Sequence, residues 1–350
     1  MNVQPLFFTY TETSDVASYQ NRRANERHVA DDIVLPDSSL TLDENLKKAK
    51  QQGVKFVIVG IPEDIGPRAN CGKGGAKHAW QQFLPVFLNQ QSNQFFDWSQ
   101  VMLIGSVDVE ELEKQSNVAD ISDHKLTSLR DLVAQLDQRV VDVLSPIFQQ
   151  DLQVIVIGGG HNNAYPIIKS AYSALGQKVG CVNLDPHADF RAMEGRHSGN
   201  PFRYAHHHGF MSKYCVMGLH EQKNNQESIE SLMAAQFPFY SYQQLFVRRS
   251  ISYDDALEEA LGYIETEQVT GIEVDVDSIK HIPASAYSLT GFSSEQAMRF
   301  VSTFANSEQC RYLHLCEAAP DDNEPPGHKA LESGQLLTQL IYSYVTSRTG

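Results

Sequence analysis

The chain has 350 residues, of which 41% are apolar and 20% are charged, and its formal net charge is −15. This length is enough for one large α/β domain or two ordinary ones. The excess of acidic residues argues against nucleic acid or an anionic membrane as a partner, because both attract basic surfaces. The five cysteines are an odd number without CxxC spacing, which indicates free thiols rather than a disulfide framework or a Cys-based zinc site.

The first 50 residues are polar and weakly patterned, and we expect residues 1–50 to form an extension that packs on the main body. No basic start leads into an apolar stretch long enough for export. No run approaches the roughly 18 apolar residues of a membrane helix. These features predict a cytoplasmic protein without a membrane partner.

From residue 54 onwards, short β-branched runs alternate with longer amphipathic segments. The predicted strands are Val54–Val59, Val101–Ile104, Val154–Ile157, Val179–Leu184, Tyr214–Gly218, Phe237–Tyr240, Gly271–Val276 and Tyr312–Cys316. The predicted helices lie near residues 75–90, 124–148, 162–175, 225–235, 253–267, 293–306 and 328–346. Such alternation implies parallel strands joined by right-handed crossovers. The sequence therefore predicts a three-layer α/β/α sandwich with a mainly parallel sheet, as a single catalytic domain over residues 51–350.

Ligands bind outside the carboxyl ends of the strands in such a sheet, so the residues that follow each strand are the most informative. Seven potential cation-binding side chains follow four of the predicted strands. They are His161, Asp185, His187, Asp189, Asp275, Asp277 and Glu317. A single Asp or His in this position is usually a solvated loop residue, and the Asp185–Asp189 triplet alone could be a capped turn. The convergence of four strands favours a metal site.

The number of charges indicates which metal fits. Four aspartates in one place would repel one another and take up protons unless cations were present, and two divalent ions would cancel their charge. Carboxylate-rich ligation without thiolate suits Mn²⁺ better than structural zinc. Six Asp and His side chains are too few for two closed shells, so bridging carboxylates and a shared water are expected. Water held between two such ions loses its proton near neutral pH, which predicts hydrolysis.

Other motifs give no better interpretation. Asn163 stands where G-x-G-x-x-G requires its last glycine, and the loop from Gly66 to Gly74 has the wrong spacing for a P-loop. The three adjacent histidines at 206–208 cannot all reach one ion, because neighbouring side chains diverge. Nucleotide binding and a histidine-rich metal site are therefore not expected.

The motifs GGGH, DPHAD, EVDVD and CEAAP occur in this order within about residues 54–346. This pattern resembles the ureohydrolases, the arginase/agmatinase/formimidoylglutamase family. The resemblance implies the arginase-like fold and two Mn²⁺ ions per subunit, bridged by Asp185 and Asp275. It implies His161 and Asp189 as ligands on one side and His187 and Asp277 on the other. The implied catalytic residues are Asp189, which holds the proton of the attacking hydroxide, and Glu317, which binds the amidine or guanidine nitrogen.

Departures within the family favour formimidoylglutamase. Gly160 stands where arginases and agmatinases have Asp, and Ser198 stands where agmatinases have His. The early loop resembles that of formimidoylglutamases, although Lys73 replaces the usual Arg. The predicted substrate-binding residues are Arg68, Asn70, His197, Ser198 and Glu317. Further candidates for binding the substrate carboxylates are Arg191, Arg196 and Arg203.

The resulting hypothesis is hydrolysis of N-formimidoyl-L-glutamate, a small molecule, to L-glutamate and formamide. His197 lies one position from the histidine of the arginases, which leaves an arginase- or agmatinase-type hydrolase releasing urea as an alternative. A non-catalytic relative with an assembly or regulatory role is a second alternative. The oligomeric state stays open, a homo-oligomer included.

Overall fold

A nine-stranded sheet runs through the computed structural model, which describes residues 7–21, 23–120, 123–320 and 328–348. The strands are β1 (Phe8–Tyr10), β2 (Phe56–Gly60), β3 (Val101–Val107), β4 (Gln153–Ile157), β5 (Val179–Leu184), β6 (Met211–Leu219), β7 (Phe239–Ser241), β8 (Val269–Asp275) and β9 (Cys310–Cys316). Their order in space is β1-β3-β2-β4-β9-β8-β5-β6-β7. Strand β1 is antiparallel to β3, and every other pairing is parallel.

Helices connect the strands and cover the sheet. The α-helices are α1 (Thr13–Tyr19), α2 (Leu42–Gln51), α3 (Ile65–Ala69), α4 (Ala79–Leu88), α5 (Glu110–Ala119), α6 (Lys125–Gln149), α7 (Ala164–Leu175), α8 (Pro201–His207), α9 (Gln226–Ala234), α10 (Tyr253–Ile264), α11 (Ser294–Ala305) and α12 (His328–Ser347). Short 3₁₀ turns lie at Val29–Asp31, Ala76–His78, Trp98–Gln100, His161–Asn163 and Val276–Ser278, and a π-helical segment lies at Gln243–Arg248. None of the helices in the described residues combines the length and apolar character needed to cross a bilayer.

The sheet is buried on both faces, which is why its strands appear as continuous apolar runs in the sequence. Ile58 and Ile155 belong to one buried cluster, together with residues of α4, α11 and α12. Val57 and Val154 belong to a second cluster, together with residues of α6, α7 and α8. Two apolar layers around one mainly parallel sheet confirm the predicted three-layer α/β/α sandwich. All five cysteines are free, as expected.

Every predicted strand is present, and the prediction failed mainly for short or peripheral elements. Strand β8 ends at Asp275 rather than Val276, because the Asp275 side chain accepts a hydrogen bond from the Asp277 backbone N–H and starts a 3₁₀ turn. Helix α2 was not predicted, although Thr41 and Glu44 form a capping box at its start. Helices α1, α3, α5 and α8 were also not predicted.

The N-terminal residues join the sheet through β1, which was not predicted either. Tyr10 pairs with Gly105 of β3. Gly105 has a φ of 142°, and a Cβ atom at this position would lie 2.0 Å from the Thr9 carbonyl oxygen. The close pairing of β1 with β3 therefore requires glycine. Leu46 of α2 is also fully buried. The division of the chain at residue 50 stays a prediction.

The substitution Gly105→Ala should displace β1 from the sheet edge. We expect faster proteolysis of the N-terminal segment and a free energy of unfolding lower by roughly 1–3 kcal/mol, because the new methyl group has no space. The matched control is Gly262→Ala in α10, where a Cβ atom meets nothing within 4 Å. The control should be neutral or slightly stabilising. Equal proteolysis of Gly105→Ala and the unmodified protein would contradict the close approach.

Candidate metal centre

The seven predicted cation-binding side chains lie together at one edge of the sheet. Four strands that are adjacent in space, β4, β9, β8 and β5, end at this edge. His161 begins the 3₁₀ turn after β4, Asp185 follows β5, Asp275 ends β8, and Glu317 follows β9. All seven are buried except His187, whose side chain is 27% exposed. The carboxyl ends of the strands thus bring these residues into one site.

His161 and His187 face the aspartates from two sides. The Nδ1 atom of His161 lies 3.1 Å from Asp185 Oδ2, 2.9 Å from Asp189 Oδ2 and 3.4 Å from Asp275 Oδ2. The Nδ1 atom of His187 lies 3.4 Å from the other oxygen of Asp185 and 3.9 Å from Asp277 Oδ2. Asp185 therefore presents one oxygen to each histidine.

These six residues, which we call the candidate metal centre, form two overlapping groups that could each hold a cation. One group contains His161, Asp185, Asp189 and Asp275, and the other contains His187, Asp275 and Asp277. Asp275 is common to both groups, and Asp185 contacts a histidine of each. Carboxylate and imidazole without thiolate are ligands that suit Mn²⁺.

Electrostatics supports a cation in this place. Burial raises the pKa of Asp277 to about 6, and burial with the neighbouring carboxylates of Asp277 and Asp185 raises the pKa of Asp275 well above its usual value. Burial disfavours the charged form of His187, but Asp185 and Asp277 raise its pKa overall to about 9. Although His161 Nδ1 lies close to three carboxylates, it makes no well-directed hydrogen bond. A divalent ion would satisfy these atoms and replace the protons.

The backbone is in unusual conformations at the residues nearest this site. Asp189 has a φ of 43° and Glu317 a φ of 61°, values that few non-glycine residues adopt. Strained backbone of this kind often occurs at functional sites. Gly158 and Gly159 have φ values of 84° and 78°, which allow the tight turn that leads from β4 to His161.

Glu317 is oriented toward the centre by its neighbours. Its backbone N–H donates to the Gly159 carbonyl oxygen at 3.0 Å, and its Oε1 accepts a hydrogen bond from the His161 backbone N–H at 2.7 Å. Its Oε2 is buried and makes no well-directed hydrogen bond with the described residues, and the nearby Ser285 side chain favours the charged form of this carboxylate. Burial and the charge of Asp277 raise the pKa of Glu317 to about 8. The unpartnered oxygen is available to a donor from a bound molecule.

Gly160 cannot carry a side chain in this structure. A Cβ atom at this position would lie 2.3 Å from Pro67 Cδ and 2.5 Å from Asn162 Oδ1. Pro67 thus fills the space that the side chain of an Asp at position 160 would need. The packing of α3 against the loop of His161 therefore requires a glycine at position 160.

Glu63 is a residue of this region that the sequence analysis missed. It is fully buried, and its Oε1 accepts hydrogen bonds from the Gly160 backbone N–H at 2.8 Å and from the Asn163 and Asn162 side chains. Its Oε2 accepts from the backbone N–H groups of Ile65 and Gly66. One carboxylate therefore ties the loop of His161 to the start of α3. Its position just after β2, at the carboxyl end of a strand, could have indicated from the sequence that it belongs to this region.

Two of the predicted substrate-binding residues contact each other, although they are far apart in the sequence. The Asn70 side chain donates to Ser198 Oγ at 3.4 Å. Both lie beside Gly199, where a Cβ atom would be 2.7 Å from Asn70 Nδ2 and 2.8 Å from Arg191 Cδ. Arg191 is exposed, and the described residues offer its guanidinium no ion pair. We call Asn70, Arg191 and Ser198 the rim cluster.

His197 is fully buried, and its contacts lie within its own loop. Its Nδ1 accepts a hydrogen bond from the Gly199 backbone N–H at 3.1 Å, and its Nε2 lies 3.3 Å from Glu194 Oε1. Burial, with the charges of Arg130 and Arg196, lowers the pKa of His197 to about 3. None of these contacts involves the candidate metal centre, so the geometry favours a structural role over the predicted substrate contact.

Arg68 is already neutralised by three carboxylates. Its guanidinium lies 2.8 Å from Asp64, 2.6 Å from Asp120 and 3.3 Å from Glu113. Its side chain is only 11% exposed. The predicted contact of Arg68 with substrate would require these pairs to break, so the geometry favours a structural role here too.

Two other candidate arginines are also paired. Arg196 is buried and donates to both oxygens of Asp137 and to the Asn162 carbonyl oxygen. Arg203 donates to Glu227 at 2.5 Å. Of the four arginines considered, Arg191 is thus the one whose guanidinium has no acidic partner within the described part of the chain.

Comparisons with known proteins show the family and the fold of this chain. The model of the arginase family matches residues 54–342. Formimidoylglutamase of Klebsiella pneumoniae (strain 342) is 26% identical over 325 residues, which covers 89% of this chain and 94% of that protein. Formiminoglutamase of Trypanosoma cruzi with Mn²⁺ superposes with a TM-score of 0.68 at 20% identity and covers 92% of this chain and 98% of that chain. Formimidoylglutamase of Bacillus subtilis subsp. subtilis str. 168 superposes with a TM-score of 0.72 at 14% identity and covers 93% of each chain.

The substitution Arg68→Ala tests the structural role of this residue. We expect the free energy of unfolding to fall by roughly 1–3 kcal/mol, because Asp64, Glu113 and Asp120 lose the cation that they share and keep only their lysine partners, Lys77 and Lys125. The matched control is Arg299→Ala, which removes an exposed pair with Asp254 and should cost about 0.5 kcal/mol or less. Denaturant unfolding measures both. If Arg68→Ala leaves the stability unchanged and strongly raises KM, the result would instead support the predicted contact of Arg68 with the substrate.

Proposed function

The chain belongs to the arginase family, and from this we propose that it is a manganese-dependent hydrolase that converts N-formimidoyl-L-glutamate and water to L-glutamate and formamide. The observation that carries the proposal is the pair of overlapping Asp and His groups that share Asp275. Glu317, with an unpartnered oxygen, lies next to them. The formimidoylglutamase names of the relatives support the substrate.

The candidate metal centre has the composition needed for two divalent ions. His161, Asp185, Asp189 and Asp275 would hold one ion, and His187, Asp275 and Asp277 would hold the other. When bound, the ions would supply the Lewis acid that lowers the pKa of water and stabilises the negative charge of the transition state. The four negative charges of the aspartates would balance two divalent ions.

The side chains of the site have distinct roles in the proposed reaction. Glu317 Oε2 accepts hydrogen bonds from the N–H groups of the planar, cationic formimino group and fixes its carbon for attack. Asp189 accepts the proton of the attacking water. The oxygen of water bonds to the formimino carbon, the bond from that carbon to the glutamate nitrogen breaks, and the glutamate nitrogen gains a proton.

The rim cluster is suited to a carboxylate of the substrate. Within the described residues the Arg191 guanidinium has no acidic partner, and Asn70 and Ser198 offer polar groups at Gly199, beside the Arg191 side chain. Arg191 also lies only two positions after Asp189, which places the base of its side chain close to the centre. We therefore propose Arg191 as the residue that binds the glutamate end of the substrate, in place of Arg68.

Metal loading and a substrate panel test the proposed reaction. Protein stripped with chelator should be inactive, and protein reloaded with Mn²⁺ should contain two ions per chain and release formamide from N-formimidoyl-L-glutamate. Arginine, agmatine and guanidino acids should release no urea. Urea from any of them would favour the alternative substrates, and two bound ions without turnover would favour the non-catalytic relative. Asp275→Asn, which alters both groups, should lose metal and activity together.

The substitution Arg191→Ala tests the rim cluster. We expect KM for N-formimidoyl-L-glutamate to rise roughly 10- to 100-fold, because a charge-assisted hydrogen bond to the substrate is lost. The turnover number should change much less. The matched control is Arg203→Ala. The Arg203 guanidinium is paired with Glu227, so this substitution should leave KM close to that of the unmodified protein. Equal KM values for the two variants would remove Arg191 from the substrate site.

A further inference from the structure

A buried carboxylate that belongs to neither metal-binding group lies behind His161. Glu273 is in β8, two residues before Asp275, so both side chains are on the same face of the strand. Glu273 is fully buried in the sheet. A carboxylate in such a place is costly unless several donors satisfy it.

Three side chains surround the Glu273 carboxylate. Its Oε2 lies 2.6 Å from His314 Nδ1 and 3.6 Å from His161 Nε2. Its Oε1 accepts a hydrogen bond from the Tyr312 hydroxyl group at 2.8 Å. His161 Nε2 is buried and has no hydrogen-bond partner in the described residues. The ring of His161 thus has aspartates at Nδ1, and the Glu273 carboxylate at Nε2 with the Cys316 thiol nearby.

The chemistry of imidazole connects the two sides of this ring. A neutral imidazole carries its proton on one nitrogen and its lone pair on the other. If Nδ1 gives its lone pair to a metal, the proton must be on Nε2, and that proton faces Glu273. The separation of 3.6 Å is beyond hydrogen-bond distance, and a movement of roughly half an ångström would close it.

We propose that Glu273 is a positioning residue that accepts the Nε2 proton of His161 and so fixes Nδ1 as the metal-binding nitrogen. The inference rests on the proposed function, since it requires Mn²⁺ at Nδ1. A carboxylate behind a ligating histidine sets its tautomer and ring orientation and makes it a stronger ligand. His314 and Tyr312 hold Glu273 in place by donating to its two oxygens.

An alternative interpretation of this region is a third cation site. It would be formed by His161, His314 and Cys316, whose ligand atoms lie within 4.8 Å of one another. Two observations favour the positioning role. The Cys316 thiol is fully buried and directed at the Val274 carbonyl oxygen, 3.6 Å away, as a donor. His314 Nδ1 already donates to Glu273. A metal would need the thiolate and would compete for His161 with the candidate metal centre.

The substitution Glu273→Gln removes the charge and keeps the shape. By Mn²⁺ titration calorimetry, we expect one of the two binding events to weaken roughly 10- to 100-fold and the other to change little. The variant Tyr312→Phe removes one of the two donors that hold Glu273 but keeps the carboxylate, so it should weaken the same binding event by less than Glu273→Gln does. Thermal unfolding of the metal-free variants separates loss of folding from loss of affinity.

The outcomes distinguish this inference from the proposed function. An unmodified protein that binds no Mn²⁺ overturns both. Two ions bound with equal affinity by Glu273→Gln and the unmodified protein overturn the role of Glu273 alone. If Glu273→Gln does not fold, nitrogen-15 NMR of histidine-labelled, Zn²⁺-loaded unmodified protein decides. A proton on His161 Nε2 supports the inference, whereas a proton on Nδ1, or a third ion bound to Cys316, overturns it.

Discussion

The mutual repulsion of four buried aspartates is the constraint on which the rest of this structure depends. Asp185, Asp189, Asp275 and Asp277 lie together, and burial, with the charges of neighbouring carboxylates, raises the pKa values of Asp275 and Asp277. A fold keeps such a cluster only if something compensates for it. The histidines at its two sides contribute at most one positive charge each, so divalent cations are the compensation that the cluster fits best.

Hydrogen bonds and turns outside the aspartate cluster hold its residues in place. Glu63 binds five donors from two loops, and the glycines around residue 159 allow the turn that leads to His161. Glu273 is held in the same way behind the ring. Buried acids that are fully hydrogen-bonded are stable and rigid. The region therefore contains two kinds of acid, those satisfied by protein donors and those that face one another.

This difference explains how much the sequence could predict. The buried parallel strands appear as apolar runs, and the acids at their ends stand out against them, so the sheet and the seven side chains at its edge were predictable. Strand β1 was not, since three residues carry little pattern and their partner Gly105 is about a hundred residues away. The roles of Arg68 and His197 depended on partners in other segments. No local pattern reveals that Glu113 and Asp120 neutralise Arg68.

The ion pairs in the structure distinguish between four arginines that the sequence alone does not distinguish. Arg68, Arg191, Arg196 and Arg203 are all close in sequence to the motifs of the site, and each could bind a carboxylate. Arg68 and Arg196 are held by largely buried acids, and Arg203 by Glu227. A substrate carboxylate would have to displace an existing partner at those three, whereas no acid of the described residues pairs with Arg191. Under the proposed function, selectivity for an anionic substrate would therefore depend on the one of these four arginines that the described residues leave without an acid.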